Sequence, residues 1–129
     1  MKMLLDTHVL LWWLRDDARL RPRIRQVIAG RDNQVFVSLA SFWEIAVKVR
    51  KGRLDVSAPA VWRDALDEGF SILPITQDHL LAFERVEVID HHGDPFDILL
   101  VAQSKAENAV LVTADRHMGR YGVPCLGVS

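Results

Sequence analysis

A chain of 129 residues that is 50% hydrophobic and 26% charged has the balance of a globular unit rather than of a disordered or membrane-embedded chain, and its length suits one domain over residues 1–129. A formal net charge of −1 gives no global pull on a polyanion, which excludes a simple nucleic-acid coat; any contact with nucleic acid must come from local basic patches or a bound cation. The one cysteine, Cys125, cannot make an intramolecular disulfide, and the N-terminal stretch, broken by Asp6 and His8, matches neither a signal peptide nor a membrane span; together these predict a cytoplasmic protein with Cys125 packed in its core.

Met3-Leu4-Leu5 predicts a short buried strand ending in Asp6-Thr7, and Val9, Leu10, Trp12, Trp13 and Leu14 follow with the spacing of a helix. Arg15, Arg19, Arg21, Arg23 and Arg25 surround Leu20, Ile24, Val27 and Ile28, which predicts a short amphipathic helix with its arginines in solvent or, alternatively, on a phosphate. Val35-Phe36-Val37 reads as the second strand and Phe42 to Val47 as helix, with Ser41 and Glu44 in the spacing of a capping box. Lys48, Arg50, Lys51 and Arg53 cluster around Gly52, a basic helix end that suits the helix dipole and could hold a phosphate backbone.

Pro59 to Gly69 predicts a helix with Val61, Trp62, Ala65 and Leu66 inward, and Phe70 to Ile75 a strand that Pro74 pushes to an edge or an end. Thr76 caps a helix from Gln77 to about Arg85 with Leu80, Leu81 and Phe83 as its apolar residues and Asp78 as a surface acid. After a loop, Asp94 is placed to cap a helix in which Pro95 is first and Asp97 third, followed by the buried run Ile98 to Ala102 and continuing to about Glu107. Val110 to Thr113 is the most strand-like run, with Asp115 two residues past it. Arg116 to Gly122 reads as a short helix or turn, and Val123 to Val128 as a last strand.

Short apolar strands alternating with helices imply an α/β fold with a mostly parallel sheet covered on both faces, in which ligands bind beyond the carboxyl ends of the strands. Asp6 and Asp115 follow strands, while Glu44, Asp94 and Asp97 fall in the first turns of helices that can open on the same rim. No obvious lysine or histidine stands at those junctions to neutralise them. Two like charges about 4 Å apart repel by roughly 1 kcal/mol in water and about 4 kcal/mol at an effective dielectric near 20, so the cluster needs a cation or must take up protons. An all-oxygen donor set favours Mg²⁺ or Mn²⁺ over Zn²⁺, and a cation that keeps several waters leaves room for a substrate phosphate. The chemistry predicted is metal-assisted phosphodiester hydrolysis.

Four stretches also carry a family resemblance: Leu5-Asp6-Thr7-His8, Val37 to Lys48 around Ser41 and Glu44, His92-Gly93-Asp94-Pro95-Phe96-Asp97 before Leu99 to Gln103, and Val112-Thr113-Ala114-Asp115. In that order they resemble the PIN-domain ribonucleases, and within them the VapC-type toxins of bacterial toxin-antitoxin pairs. The resemblance implies a three-layer α/β/α fold with a five-stranded sheet, and Mg²⁺ or Mn²⁺ held by Asp6, Glu44, Asp97 and Asp115. Asp6 and Asp97 would be the firmest ligands, with Asp94, Ser41 and Thr113 around them. It further implies an RNA substrate, touched by residues such as Lys48, Lys51, Arg53, His92 or Arg116, a homodimer, and a VapB-type antitoxin. The antitoxin would lay a helix in an apolar groove formed by Trp12, Trp13, Phe42 or Trp43 and bring a basic side chain to the acids. Family members often carry Arg directly after the acid matching Asp97, where this chain has Ile98.

The alternative from another class is an acidic-pocket binding or receiver-like signalling module. A receiver needs a lysine after a late strand, and none follows Lys105; an aspartyl phosphatase would show a second acid where His8 stands.

Overall fold

A computed structural model describes residues 1–89 and 93–127. The chain runs β1 (Lys2–Leu5), α1 (Thr7–Leu14), α2 (Pro22–Ile28), β2 (Gln34–Ser38), α3 (Leu39–Arg50), α4 (Ala58–Asp67), β3 (Ser71–Leu73), α5 (Gln77–Arg85), α6 (Pro95–Glu107), β4 (Val110–Thr113), a 3-10 segment (Arg116–Tyr121) and β5 (Cys125–Gly127). The sheet has five strands in the order β3-β2-β1-β4-β5, and each pairing is parallel. Parallel pairing follows from the helix between successive strands, because a parallel return needs a crossover of a dozen or more residues.

β1 lies in the middle of the sheet, and its three leucine and methionine residues are fully buried because both faces are covered. The two-residue period of a strand then divides them. Met3 and Leu5 join Val9, Leu10, Val35, Val37, Phe42, Ile45 and Val61 in one core, while Leu4 joins Leu73, Ile98, Leu100, Val101, Leu111 and Met118 in the other. These are the two interfaces of a three-layer α/β/α arrangement. The register pairs Leu5 with both Val37 and Val112, so Asp6, the start of α3 and the end of β4 emerge on the same rim.

Three expectations need correction. Cys125 is exposed rather than in the core, because it lies on a three-residue edge strand. In α4 only Val61 and Ala65 are buried; Leu66 is exposed and Trp62 lies at the surface with its ring 4.8 Å from that of Phe42. α5 forms with the expected cap and bounds; its buried residue is His79, and Leu80 and Leu81 are exposed. The last strand is Cys125–Gly127, shorter than the expected run, whose final residue lies outside the described residues.

His79 explains how α5 is fixed without burying its leucines. Thr76 caps α5, its hydroxyl accepting from the His79 amide at 3.3 Å, while His79 Nδ1 accepts from the Thr76 amide at 3.0 Å. The proton on Nε2 is then directed at Glu107 Oε2, 2.8 Å away at the far end of α6, and Lys2 reaches the same carboxylate at 3.4 Å. That polar clamp ties α5 to α6. Among the described residues no helix is long and apolar enough to cross a membrane.

Candidate active site

Asp6 directly follows the central strand and caps α1. Its Oδ1 accepts from the Val9 amide at 2.8 Å and its Oδ2 from the Ala114 amide at 3.0 Å, so one side chain ties the end of β1 to the chain leaving β4. Burial pushes its carboxyl above the usual range, partly opposed by hydrogen bonds from Thr113 and the two amides. Thr113 serves a second acid as well, its hydroxyl oxygen accepting from the Asp115 amide at 3.0 Å.

Glu44 is not held by a capping box. β2 runs directly into α3, and the N-cap is Ser38, whose hydroxyl accepts from the Ala40 amide at 3.0 Å; Ser41 is already inside the helix and Glu44 in its second turn. The Glu44 carboxylate instead turns to Thr7, whose hydroxyl donates at 2.6 Å, and to Lys48, whose ammonium lies 2.8 Å from Oε2. Having one proton, and that directed at Glu44, the Thr7 hydroxyl accepts from Ser41 Oγ at 3.0 Å. The expectation that no lysine would neutralise the acids therefore fails at Glu44. The Glu-to-Lys spacing of four on one helix is the signal that was available.

Asp94 and Asp97 take different parts. Asp94 is the exposed N-cap of α6, with Oδ1 accepting from the Phe96 amide at 2.8 Å and the Asp97 amide at 3.4 Å. Asp97, one turn in and half-buried, faces the cleft. Ile98 beside it is buried in the second core. Asp115 caps the 3-10 segment, accepting from the His117 amide at 2.8 Å, and it also faces the cleft.

Four acids from four separate stretches, Asp6, Glu44, Asp97 and Asp115, thus line one depression of about 440 Å³, together with Thr7, His8, Trp12, Arg19 and Ala114. Among the described residues no three of Asp, Glu, His and Cys are grouped so as to hold an ion between them as they stand. Mg²⁺ commonly takes one or two protein carboxylates and keeps its waters, so an open cleft whose acids outnumber its one imidazole fits a hydrated hard cation better than it fits structural zinc, which takes a closed nitrogen and sulfur cage.

The expected nucleic-acid contacts scatter. Lys48 is engaged with Glu44. Lys51 and Arg53 are exposed beyond the C-terminal end of α3, about 10 Å or more along its axis from Glu44 at 1.5 Å per residue. Arg116 lines a neighbouring depression of about 530 Å³ with Asp115, His117 and Arg120, and His92 lies outside the described residues. The residues that sequence reasoning missed at the cleft are Thr7, His8, Trp12 and Arg19. Thr7 is adjacent to a strand-end acid, which was a usable signal, whereas Arg19 is one of five arginines that the sequence does not distinguish.

A second depression, about 670 Å³, runs between α3, α5 and α6 and is lined by apolar side chains that include Phe42, Trp43, Ile75, Leu80, Phe83, Phe96 and Leu99. Trp43 is 64% exposed and Leu80 52%. Of the four aromatic residues expected to form an apolar groove, Phe42 and Trp43 line this one; Trp12 is on the acidic cleft and Trp13 packs against Phe70.

The PIN domain family model matches residues 3–124. The chain is 29% identical over 123 residues to "Ribonuclease VapC22" of Mycobacterium tuberculosis, a match covering 95% of this chain and 93% of that protein. Its fold is similar to a chain of the VapBC2 complex from Rickettsia felis bound to promoter DNA, with a TM-score of 0.74 at 16% identity over 98% of each chain. It is also similar to a chain of a toxin-antitoxin complex from Klebsiella pneumoniae, with a TM-score of 0.68 at 20% identity over 98% of each.

Proposed function

The chain belongs to the PIN-domain family, and from that premise we propose that it is a Mg²⁺- or Mn²⁺-dependent endoribonuclease, the VapC-type toxin of a type II toxin-antitoxin pair, with residues 1–129 forming one such domain. The observation that carries the reading is the meeting of Asp6, Glu44, Asp97 and Asp115 in one cleft. Capping or pairing explains how Asp6, Glu44 and Asp115 are each held, but not why all four acids face the same space.

In this reading Asp6 and Asp97 hold the cation, with Glu44 and Asp115 completing the site or orienting a water by hydrogen bonds. A bound divalent cation would offset the charge of the cleft, polarise the phosphodiester and activate water as the nucleophile. The chain's own part is to fix the acids beforehand. Two backbone amides hold Asp6, and Thr7 and Lys48 hold Glu44, so little reorganisation remains when substrate arrives. The raised Asp6 carboxyl fits the same role, since a cation would favour its charged form.

Two protein partners complete the reading, a VapB-type antitoxin and a second copy of the chain. The apolar groove supports a protein partner, because contiguous exposed apolar surface of this kind marks an interaction site. A cytoplasmic setting accords with the exposed single thiol.

The decisive experiment is cleavage of total RNA by purified protein with Mg²⁺, with EDTA, and as Asp97→Asn. Cleavage is expected in the first condition alone, and equal cleavage in all three overturns the proposal. Independently of any substrate, Mg²⁺ or Mn²⁺ is expected to raise the melting temperature of the wild type and not of the Asp6→Asn, Asp97→Asn double variant.

A further inference from the structure

The cleft poses an electrostatic problem for an RNA substrate, because its walls carry four carboxylates and an approaching phosphodiester is itself an anion. A protein cation is needed where the strand enters. Lys48 is already directed at Glu44, and among the described residues lining the cleft the one permanent cation is Arg19.

Arg19 is exposed, yet its guanidinium is held on two sides. Nε and Nη2 donate to the two oxygens of Asp17 at 3.1 and 2.7 Å, and the guanidinium carbon lies 4.9 Å from the centroid of the Trp12 ring. Asp17 is fixed in turn, its amide donating to the Trp12 carbonyl at 2.9 Å. The pairing holds the Asp17 carboxyl down to about 2, so the bridge persists across the working pH range. Exposed ion pairs add little to fold stability. What this one does is restrict a side chain that would otherwise lose its rotamer freedom only on meeting a ligand.

The donor inventory decides what remains. A guanidinium has five N–H groups, and Asp17 takes one from Nε and one from Nη2. One N–H on Nη2 and both on Nη1 are left, including the end-on pair that matches two oxygens of a phosphate. Trp12, against which the guanidinium is stacked, lines the same cleft.

We infer that Arg19, oriented by Asp17 and Trp12, is a substrate-positioning residue that grips a backbone phosphate of the RNA at the α1 side of the acidic cleft. The inference rests on the nuclease reading and adds to it the residue that binds the strand.

The test is steady-state cleavage of a fluorescently labelled single-stranded RNA of mixed sequence at fixed Mg²⁺ and varied monovalent salt. Wild type, Arg19→Ala, Arg19→Lys and, as a charge control, Arg63→Ala on the exposed side of α4 are compared. Arg19→Ala is expected to raise KM about tenfold with kcat within about twofold, the signature of lost uniform binding. The slope of log(kcat/KM) against log salt should become shallower by about 0.7, the value for one phosphate contact on a single strand. Arg19→Lys should keep the slope and raise KM about threefold, because it keeps the charge and loses the fork. Arg63→Ala should behave as wild type.

Unchanged KM and slope in Arg19→Ala, or equal shifts in Arg63→Ala, overturn the inference while leaving the nuclease reading intact. Should Arg19→Ala fail to fold, a wild-type KM in Arg19→Lys overturns it just as well. No cleavage by the wild type overturns both.

Discussion

The acidic cleft and the apolar groove meet at the first turn of α6, where Phe96 faces the groove and the next residue, Asp97, faces the cleft. They are built in opposite ways. Asp6 and Glu44 are fixed by amides, a hydroxyl and an ammonium within the chain, so the polar site is organised before anything binds. In the groove Trp43, Leu80 and Ile75 stay exposed among the described residues. A catalytic surface must be rigid and wet until its substrate arrives, whereas an apolar surface of this extent gains only when another molecule removes it from water. A partner seated in the groove would therefore end beside the acids.

Variants should separate the two surfaces. The largest effect is expected for Asp97→Asn, which should lower RNA cleavage at least about 100-fold, or about 2.7 kcal/mol of barrier, and leave the assembly seen by size-exclusion chromatography unchanged. A change of assembly would show that the cleft and the groove act as one. Leu80→Glu is the converse. A carboxylate in an apolar contact should weaken association with whichever partner the groove seats about 100-fold while cleavage stays within about twofold; loss of self-association would assign the groove to a second copy, and loss of binding to a VapB-type antitoxin would assign it to the antitoxin.

A smaller effect sharpens the polar side. Thr7→Val removes the hydroxyl that donates to the buried Glu44 carboxylate, and an oxygen left without that donor should cost about 1–3 kcal/mol of unfolding free energy in urea titrations. The smallest effect concerns the clamp behind both surfaces. The His79 hydrogen bond, with help from Lys2, holds the Glu107 carboxyl below its ordinary 4.5. A carboxyl lowered by folding contributes stability that is present above its unfolded value and lost as pH falls through the folded one. Melting temperature should therefore decline as pH falls below the ordinary 4.5 of Glu107, and Glu107→Gln should flatten that decline without touching cleavage at neutral pH.

Much of the fold was readable because its elements carry local signals. β4 and α5 fall where the strand-like run and the Thr76 cap put them, and α6 begins at Pro95 as Asp94 and Pro95 require. The parallel sheet followed from alternation alone. What failed depended on tertiary partners. The Ser41 and Glu44 spacing mimicked a cap because the actual cap, Ser38, is hidden at the end of a strand that runs straight into its helix. Which face of α5 is buried was not legible, because periodicity separates apolar from polar faces, not a core face from one that awaits a partner. The ion pair of Lys48 with Glu44 shows only in the fold, where both side chains turn to one side of α3. Arg19 takes its place through Asp17, two residues before it, and through the Trp12 ring, a contact that the sequence alone does not show.

The sheet's margins also limit how this protein can be recognised. Its two outer strands, β3 and β5, are three residues each, and Pro74, directly after β3, cannot donate to a neighbouring strand. Strand addition needs a longer row of unpaired amides and carbonyls than such stubs provide. A partner seated in the groove would read side chains on α3, α5 and α6 rather than pair with the sheet, so its specificity would rest on shape and charge and could drift from one partner pair to another without disturbing the sheet.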